Sequence, residues 1–117
     1  MAITGVHGLF YTSEPEALRT VLRDVFGWRS VEAHPGWLIF ALPPAELGVH
    51  PLVPDGNPHH EISLMCDDIV ATVAELRSLG VKVRGEPEDH GFGTAVTVVL
   101  PGGVDVMVYE PKHLTAI

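Results

Sequence analysis

The chain holds a single cysteine among its 117 residues. Cys66 therefore closes no internal disulfide and builds no thiolate cage around a metal, and a reducing cytoplasm is the expected compartment. Basic residues are scarce as well: 7 Lys and Arg stand against 15 Asp and Glu, a formal charge of −8. A nucleic-acid binder displaces phosphate counterions with a basic surface. Here the sign is wrong, and the basic residues are scattered from Arg19 to Lys112. No apolar run approaches the roughly 20 residues of a membrane span. The opening Met-Ala-Ile-Thr-Gly has neither the basic region nor the apolar stretch of a secretion signal. Neither nucleic acid nor membrane is an expected partner.

What is present is a hydrophobic fraction of 46% with 19% charged residues, the mix of a globule with a real core rather than a disordered or fibrous chain. The length allows one domain, or two very small halves sharing a core. Seven histidines are the compositional anomaly.

The chain reads as one unit written twice. An extended stretch, Ile3–Thr12, leads to a helix start: Ser13 as cap, Pro15 in the first turn, and Glu16 placed as in a capping box. Leu18, Val21, Leu22 and Val25 fall at i, i+3, i+4 and i+7, and Gly27 stops the helix. Short strands are expected at Trp28–Glu32, Trp37–Leu42 and Glu46–Leu52. After the turn Pro54-Asp55-Gly56-Asn57-Pro58 the pattern restarts. A strand, Glu61–Cys66, is followed by a helix capped by Asp67 or Asp68, with Ile69, Val73, Leu76 and Leu79 on its buried face and Gly80 at its end. Strands Val81–Arg84, Thr94–Leu100 and Val104–Glu110 complete it, with a loop over Gly85–Gly93. The predicted fold is thus α+β: two tandem βαβββ modules, about 3–54 and 59–112, forming curved mixed sheets around a cleft, with the helices outside. Each half leaves a sheet face that only the other half, or another chain, can bury. The gap between two such sheets is a natural pocket.

Three stretches resemble a known family. HGLFYTSEPEALRTVLRDVFG (7–27) is similar to the opening module of the vicinal oxygen chelate superfamily, which holds glyoxalases, bleomycin-resistance proteins and extradiol dioxygenases. EISLMCDDIVATVAELRSLGV (61–81) resembles the start of its second module, and LPGGVDVMVYEP (100–111) its closing turn and strand. The resemblance implies a fold more specifically than a reaction, since one scaffold hosts many chemistries. It implies metal ligands on the first and last strands of each module, holding an ion that polarises neighbouring substrate oxygens. The first ligand position falls on His7. The second-module histidine position falls on Glu61, a departure that a hard divalent ion tolerates. The closing carboxylate position falls on Met107, which holds no hard metal, and Glu110 lies an odd step away and points out of the cleft.

Alternation along the last strand of the first module places Glu46, Gly48 and His50 in the cleft and Leu47 and Val49 toward the helix side. His7, His50 and Glu61 then form a two-histidine, one-carboxylate set suited to Fe(II), Mn, Zn or Ni, with open positions for a substrate that has vicinal oxygens. A metal-dependent lyase, isomerase or dioxygenase is the first expectation, with Glu61 alternatively serving as general base and Tyr109 donating to a developing oxyanion or packing as an aromatic. By the same alternation Leu9, Tyr11, Ser63, Met65, Asp105 and Met107 line the pocket. The alternative is a metal-free cleft of the bleomycin-resistance type that sequesters a small aromatic or polar compound, favoured by Met107 and by Met65 and Leu9 facing the cavity. The related proteins are usually dimers, so a homodimer is expected.

The other histidines carry less. His59 and His60 stand at a strand entry, with His60 the nearer to the site. His34 and His113 read as solvated, and His90 sits in a glycine-flanked loop that reads as surface rather than lid. Cys66 falls on the helix side as a buried, inert thiol.

Overall fold

The structure, a computed structural model, describes residues 7–117. Residues 3–6 of the expected first strand lie outside them. Among the described residues the elements run α1 (Pro15–Thr20, continued by a π-helical turn, Val21–Val25), β1 (Ser30–His34), β2 (Trp37–Phe40), β3 (Ser63–Met65), α2 (Ile69–Ser78), β4 (Lys82–Asp89), β5 (Gly93–Leu100) and β6 (Val104–Pro111). β1 and β2 form an antiparallel hairpin, and the other four strands form a mixed sheet in the order β3-β6-β5-β4. β3 runs parallel to β6, and β5 is antiparallel to both neighbours. Among the described residues this is an α+β fold with two helices and mixed sheets that close no barrel.

The second half follows its sequence closely. Asp68 caps α2, its carboxylate accepting from the amide of Ala71 at 3.0 Å. Gly80, at φ +82°, ends the helix. Ile69, Val73 and Leu76 are buried against Val96, Val98 and Leu100 of β5 and Val106 and Val108 of β6, while Leu79 is half exposed. Each such fully buried aliphatic side chain contributes about 1.5–3 kcal/mol. β4 is longer than expected and takes in residues of the predicted loop. It is an edge strand, where Pro87 removes no ladder bond that a neighbour needs, and its register slips between Arg84 and Glu88.

The first half joins that core mainly through its helix, with Phe10, Trp28 and Phe40 packed against it. Leu18 and Leu22 are buried in the same cluster, and the Arg19 guanidinium lies 5.8 Å from the Trp37 ring centroid, linking helix to hairpin. The helix start differs from expectation: its N-cap is Glu14, without a side-chain cap bond. Thr12 and Glu14 are instead committed to the second half. The Thr12 hydroxyl donates to the Pro101 carbonyl at 2.8 Å and accepts from the Glu14 amide at 3.1 Å, and the Glu14 carboxylate accepts from the Gly102 amide at 2.8 Å. A Cβ at Gly102, whose φ is +86°, would collide with Thr12 Oγ1, so this turn requires glycine.

Among the described residues, 7–12 and 46–52 join neither sheet. Leu47 and Val49, expected on a helix-facing side, are 92% and 97% exposed. Among the described residues their segment pairs with no strand, so nothing described there sets a helix side.

Candidate functional site

The sheet β3-β6-β5-β4 carries its helices on one face only. Residues paired across neighbouring strands share a face, and the register fixes the membership of the other one. Ser63 pairs with Met107, Met65 with Tyr109, Met107 with Thr97, Tyr109 with Ala95, Asp105 with Val99, and Thr97 with Arg84. Ser63, Met65, Asp105, Met107 and Tyr109 therefore stand together on the face turned away from α2, as alternation predicts. Leu64 and Cys66 pack on the helix side, where burial pushes the Cys66 thiol up from its ordinary range. Glu110 also faces the helix: its Oε1 accepts from the Ile69 amide at 3.1 Å, which gives it a structural task at the start of α2.

The open face is graded. In its middle lie Met65, Met107, Thr97 and Val99, all half-buried. At one end Arg84 forks onto Asp105, with Nη1 2.7 Å from Oδ2 and Nη2 3.2 Å from Oδ1. The guanidinium holds the Asp105 carboxyl below its usual range and occupies the oxygens a ligand cation would use. At the other end, about 13 Å along β6 by strand rise, stands Tyr109. Its hydroxyl lies 2.9 Å from His113 Nε2, and Phe92 meets its ring edge-on at 5.5 Å between centroids. His90 stacks on Phe92 at 5.7 Å, so the turn that carries it is held by packing. Glu46 comes from the first half: its Oε2 accepts from the Ala116 amide at 2.6 Å, and its Oε1 lies 3.9 Å from His113 Nε2. Burial raises the Tyr109 phenol above its ordinary range, and the charge of Glu46 adds to the effect.

Sequence reasoning places Glu46 in the cleft but misses His113 and Phe92. The Lys112 and His113 amides both donate to the Phe92 carbonyl, at 2.8 and 3.3 Å, and this folds the chain end back toward the Tyr109 ring. A signal existed: Phe92 is a large apolar residue set between two glycines, with no helix or strand period to explain it.

The proposed metal donors are not gathered within one chain. His7, His50 and Glu61 are all exposed, and among the described residues no group of three or more His, Cys, Asp or Glu side chains converges to hold an ion. His50 Nδ1 lies 2.7 Å from the Pro51 carbonyl, and His59 Nδ1 lies 2.6 Å from that of Asn57. His60, Leu9 and Tyr11 are exposed. The described residues of one chain bring no donor set together around a metal ion.

Two hollows lie elsewhere. One of about 320 Å³ is walled by Val21, Val25, Leu79, Val81 and Leu100 and reaches the sheet at Val99, and one of about 210 Å³ by the hairpin residues Arg29, Ser30, Val31, Ile39, Phe40 and Ala41. The open face is not a cavity in one chain because a sheet face is only one wall.

The family is decided by a match over residues 6–115 to the model described as "Glyoxalase/Bleomycin resistance protein/Dioxygenase superfamily". The chain belongs to this superfamily. Among solved structures, the antibiotic binding protein TnmS3 from Streptomyces sp. CB03234 is similar, with a TM-score of 0.68 and 27% identity over 96% of this chain and 99% of its own. Lactoylglutathione lyase from Agrobacterium tumefaciens has a TM-score of 0.64 and 17% identity over 94% of this chain and 96% of its own. A superfamily member from Sphaerobacter thermophilus DSM 20745 has a TM-score of 0.63 and 21% identity over 92% and 98%. The last two similarities concern the fold alone. No curated protein matches the sequence. Across this superfamily one scaffold serves different chemistries, so the face itself has to supply the functional argument. No helix of the described residues is long and apolar enough to cross a membrane.

Proposed function

We propose that this superfamily member is a small-molecule-binding protein whose open sheet face takes an apolar, planar ligand without a metal. One observation carries the reading: Met65, Met107 and Tyr109 share one face, and the carboxylate of Asp105 on that face is already paired with Arg84. Polarizable thioethers beside a phenol suit an aromatic surface better than an ion. The similarity to an antibiotic binding protein supports the binding of a small molecule.

The missing second wall comes, on this reading, from a second copy. Val31, Trp37, Leu47, Val49 and Val53 of the first half are all exposed and give it apolar surface that a partner could cover. Laid against the open face of a partner, it would close a two-walled cleft and bury both surfaces.

The test is a melting-temperature screen against fused-ring aromatic compounds. A ligand at 100 times its Kd stabilises by about 2.7 kcal/mol, a rise of about 10 °C for a domain of this size. A panel that moves the melting point of the native protein nowhere contradicts the proposal.

A second reading is a metal-dependent enzyme acting on vicinal oxygens. Its support is that His7, His50 and Glu61 lie on exposed stretches outside the sheets, which a second copy would be needed to bring together. It requires stoichiometric Fe, Mn, Zn or Ni uptake by the dimer that His7→Ala abolishes. Dialysis that loads no metal contradicts it.

A further inference from the structure

The hydrogen positions around His113 follow from its partners. His113 Nδ1 lies 2.7 Å from the Leu114 carbonyl. A carbonyl only accepts, so Nδ1 carries the proton in the neutral ring and Nε2 presents a lone pair. The Tyr109 hydroxyl, 2.9 Å from Nε2, must then donate to it. That orientation spends the only hydrogen of the phenol on the protein and leaves its oxygen able only to accept from a ligand. Protonation of the imidazole reverses the arrangement. Nε2–H becomes a donor, directed to the phenol oxygen or to the Glu46 carboxylate 3.9 Å away, and the Tyr109 hydrogen is released.

The charged groups around this ring are accounted for element by element. Tyr109 faces it from β6 and Glu46 from the segment before β3. On its own segment, Lys112 turns its ammonium to Asp89 of β4 at 2.6 Å, and His90 stacks on Phe92 with its Nε2 4.0 Å from Glu88. Glu46 is therefore the anion placed to answer an imidazolium at His113.

We infer that Tyr109 is the specificity-determining group of the open face and that His113 sets the polarity of its hydroxyl. With the imidazole neutral, the site selects a ligand that offers an N–H or O–H donor. With the imidazolium, it selects one that offers a carbonyl or anionic acceptor. The inference rests on the binding reading above and names the ligand chemistry within it.

The probes are 2-naphthol, which donates, and 2-acetylnaphthalene, which only accepts. Both are titrated into the 117-residue protein at about pH 8 and about pH 5.5, with the methionine methyl resonances of Met65 and Met107 followed by NMR. At the higher pH 2-naphthol binds more tightly by about fivefold, the scale of one hydrogen bond, and at the lower pH the ratio inverts. Tyr109→Phe keeps the ring, still binds both probes and loses the discrimination. His113→Gln keeps a pH-independent ratio. A long-range proton–nitrogen spectrum at pH 8 shows His113 protonated at Nδ1 and bare at Nε2. Two probes that shift both methionines with a ratio unaffected by pH or by Tyr109→Phe overturn the inference and leave the binding reading standing. A protonated Nε2 in the neutral ring also overturns it. If neither probe moves either methionine, the binding reading fails and takes the inference with it.

Discussion

The side chain of Glu110 and the backbone amide of Ile69 meet at 3.1 Å, joining the end of β6 to the first turn of α2. Asp68 serves the same helix start through Ala71, so two carboxylates answer the orphan amides and the positive end of the helix dipole. Glu110→Gln keeps an acceptor but loses the charge and should cost about 0.3–1 kcal/mol, and Asp68→Ala about 1 kcal/mol. Chemical denaturation reads both. Ligand-induced melting shifts should be unchanged in Glu110→Gln, because Glu110 faces away from the open face.

Leu100, 1% exposed, packs where β5 meets the helices. Leu100→Ala should destabilise by about 2–5 kcal/mol through lost burial and the cavity left behind. A loss below about 1 kcal/mol in a urea titration would show that this position is not the tightly packed core described here.

Asp105 and Asp89 are both held below the ordinary carboxylate range, the first by hydrogen bonding from Arg84 and the second by Lys112 and the Gly91 amide. A lowered folded-state value means that the folded chain binds the proton less readily than the unfolded one. The stabilisation is fully present above the unfolded value of about 3.9 and is lost as pH falls through the folded value. Asp105→Asn should therefore flatten the stability profile below about pH 4 while leaving its shape at neutral pH intact. Both groups are exposed, so added salt should weaken the effect. Melting curves across that range compare the two proteins.

Strand phase in the second half was legible because alternation there has a fixed reference. The face of Val96, Val98 and Val106 must meet the apolar stripe of α2, and Met65, Asp105, Met107 and Tyr109 follow on the opposite face. The same alternation does not carry to Leu47 and Val49, whose segment pairs with no strand among the described residues. His113 was illegible for a different reason. It lies beyond β6, where no period applies, and it reaches Tyr109 only because the Lys112 and His113 amides bond to Phe92. The helix start was misread because Thr12 and Glu14 serve a turn some 90 residues away in sequence.

Association should be visible without a ligand. Light scattering at micromolar concentration is expected to give twice the chain mass, and Leu47→Glu combined with Val49→Asp should shift the protein toward monomer and weaken ligand binding together. A monomeric wild type that binds ligand at full strength would contradict the two-chain cleft.

Whether the ligand site on the open face works without a metal is decided by calorimetric titration of the best compound from the melting screen. The titration is run in excess chelator and repeated after dialysis against zinc, manganese and nickel. The account predicts the same affinity within about twofold in both states, a difference of about 0.4 kcal/mol. Binding that vanishes in chelator and returns with one metal ion per chain would contradict it.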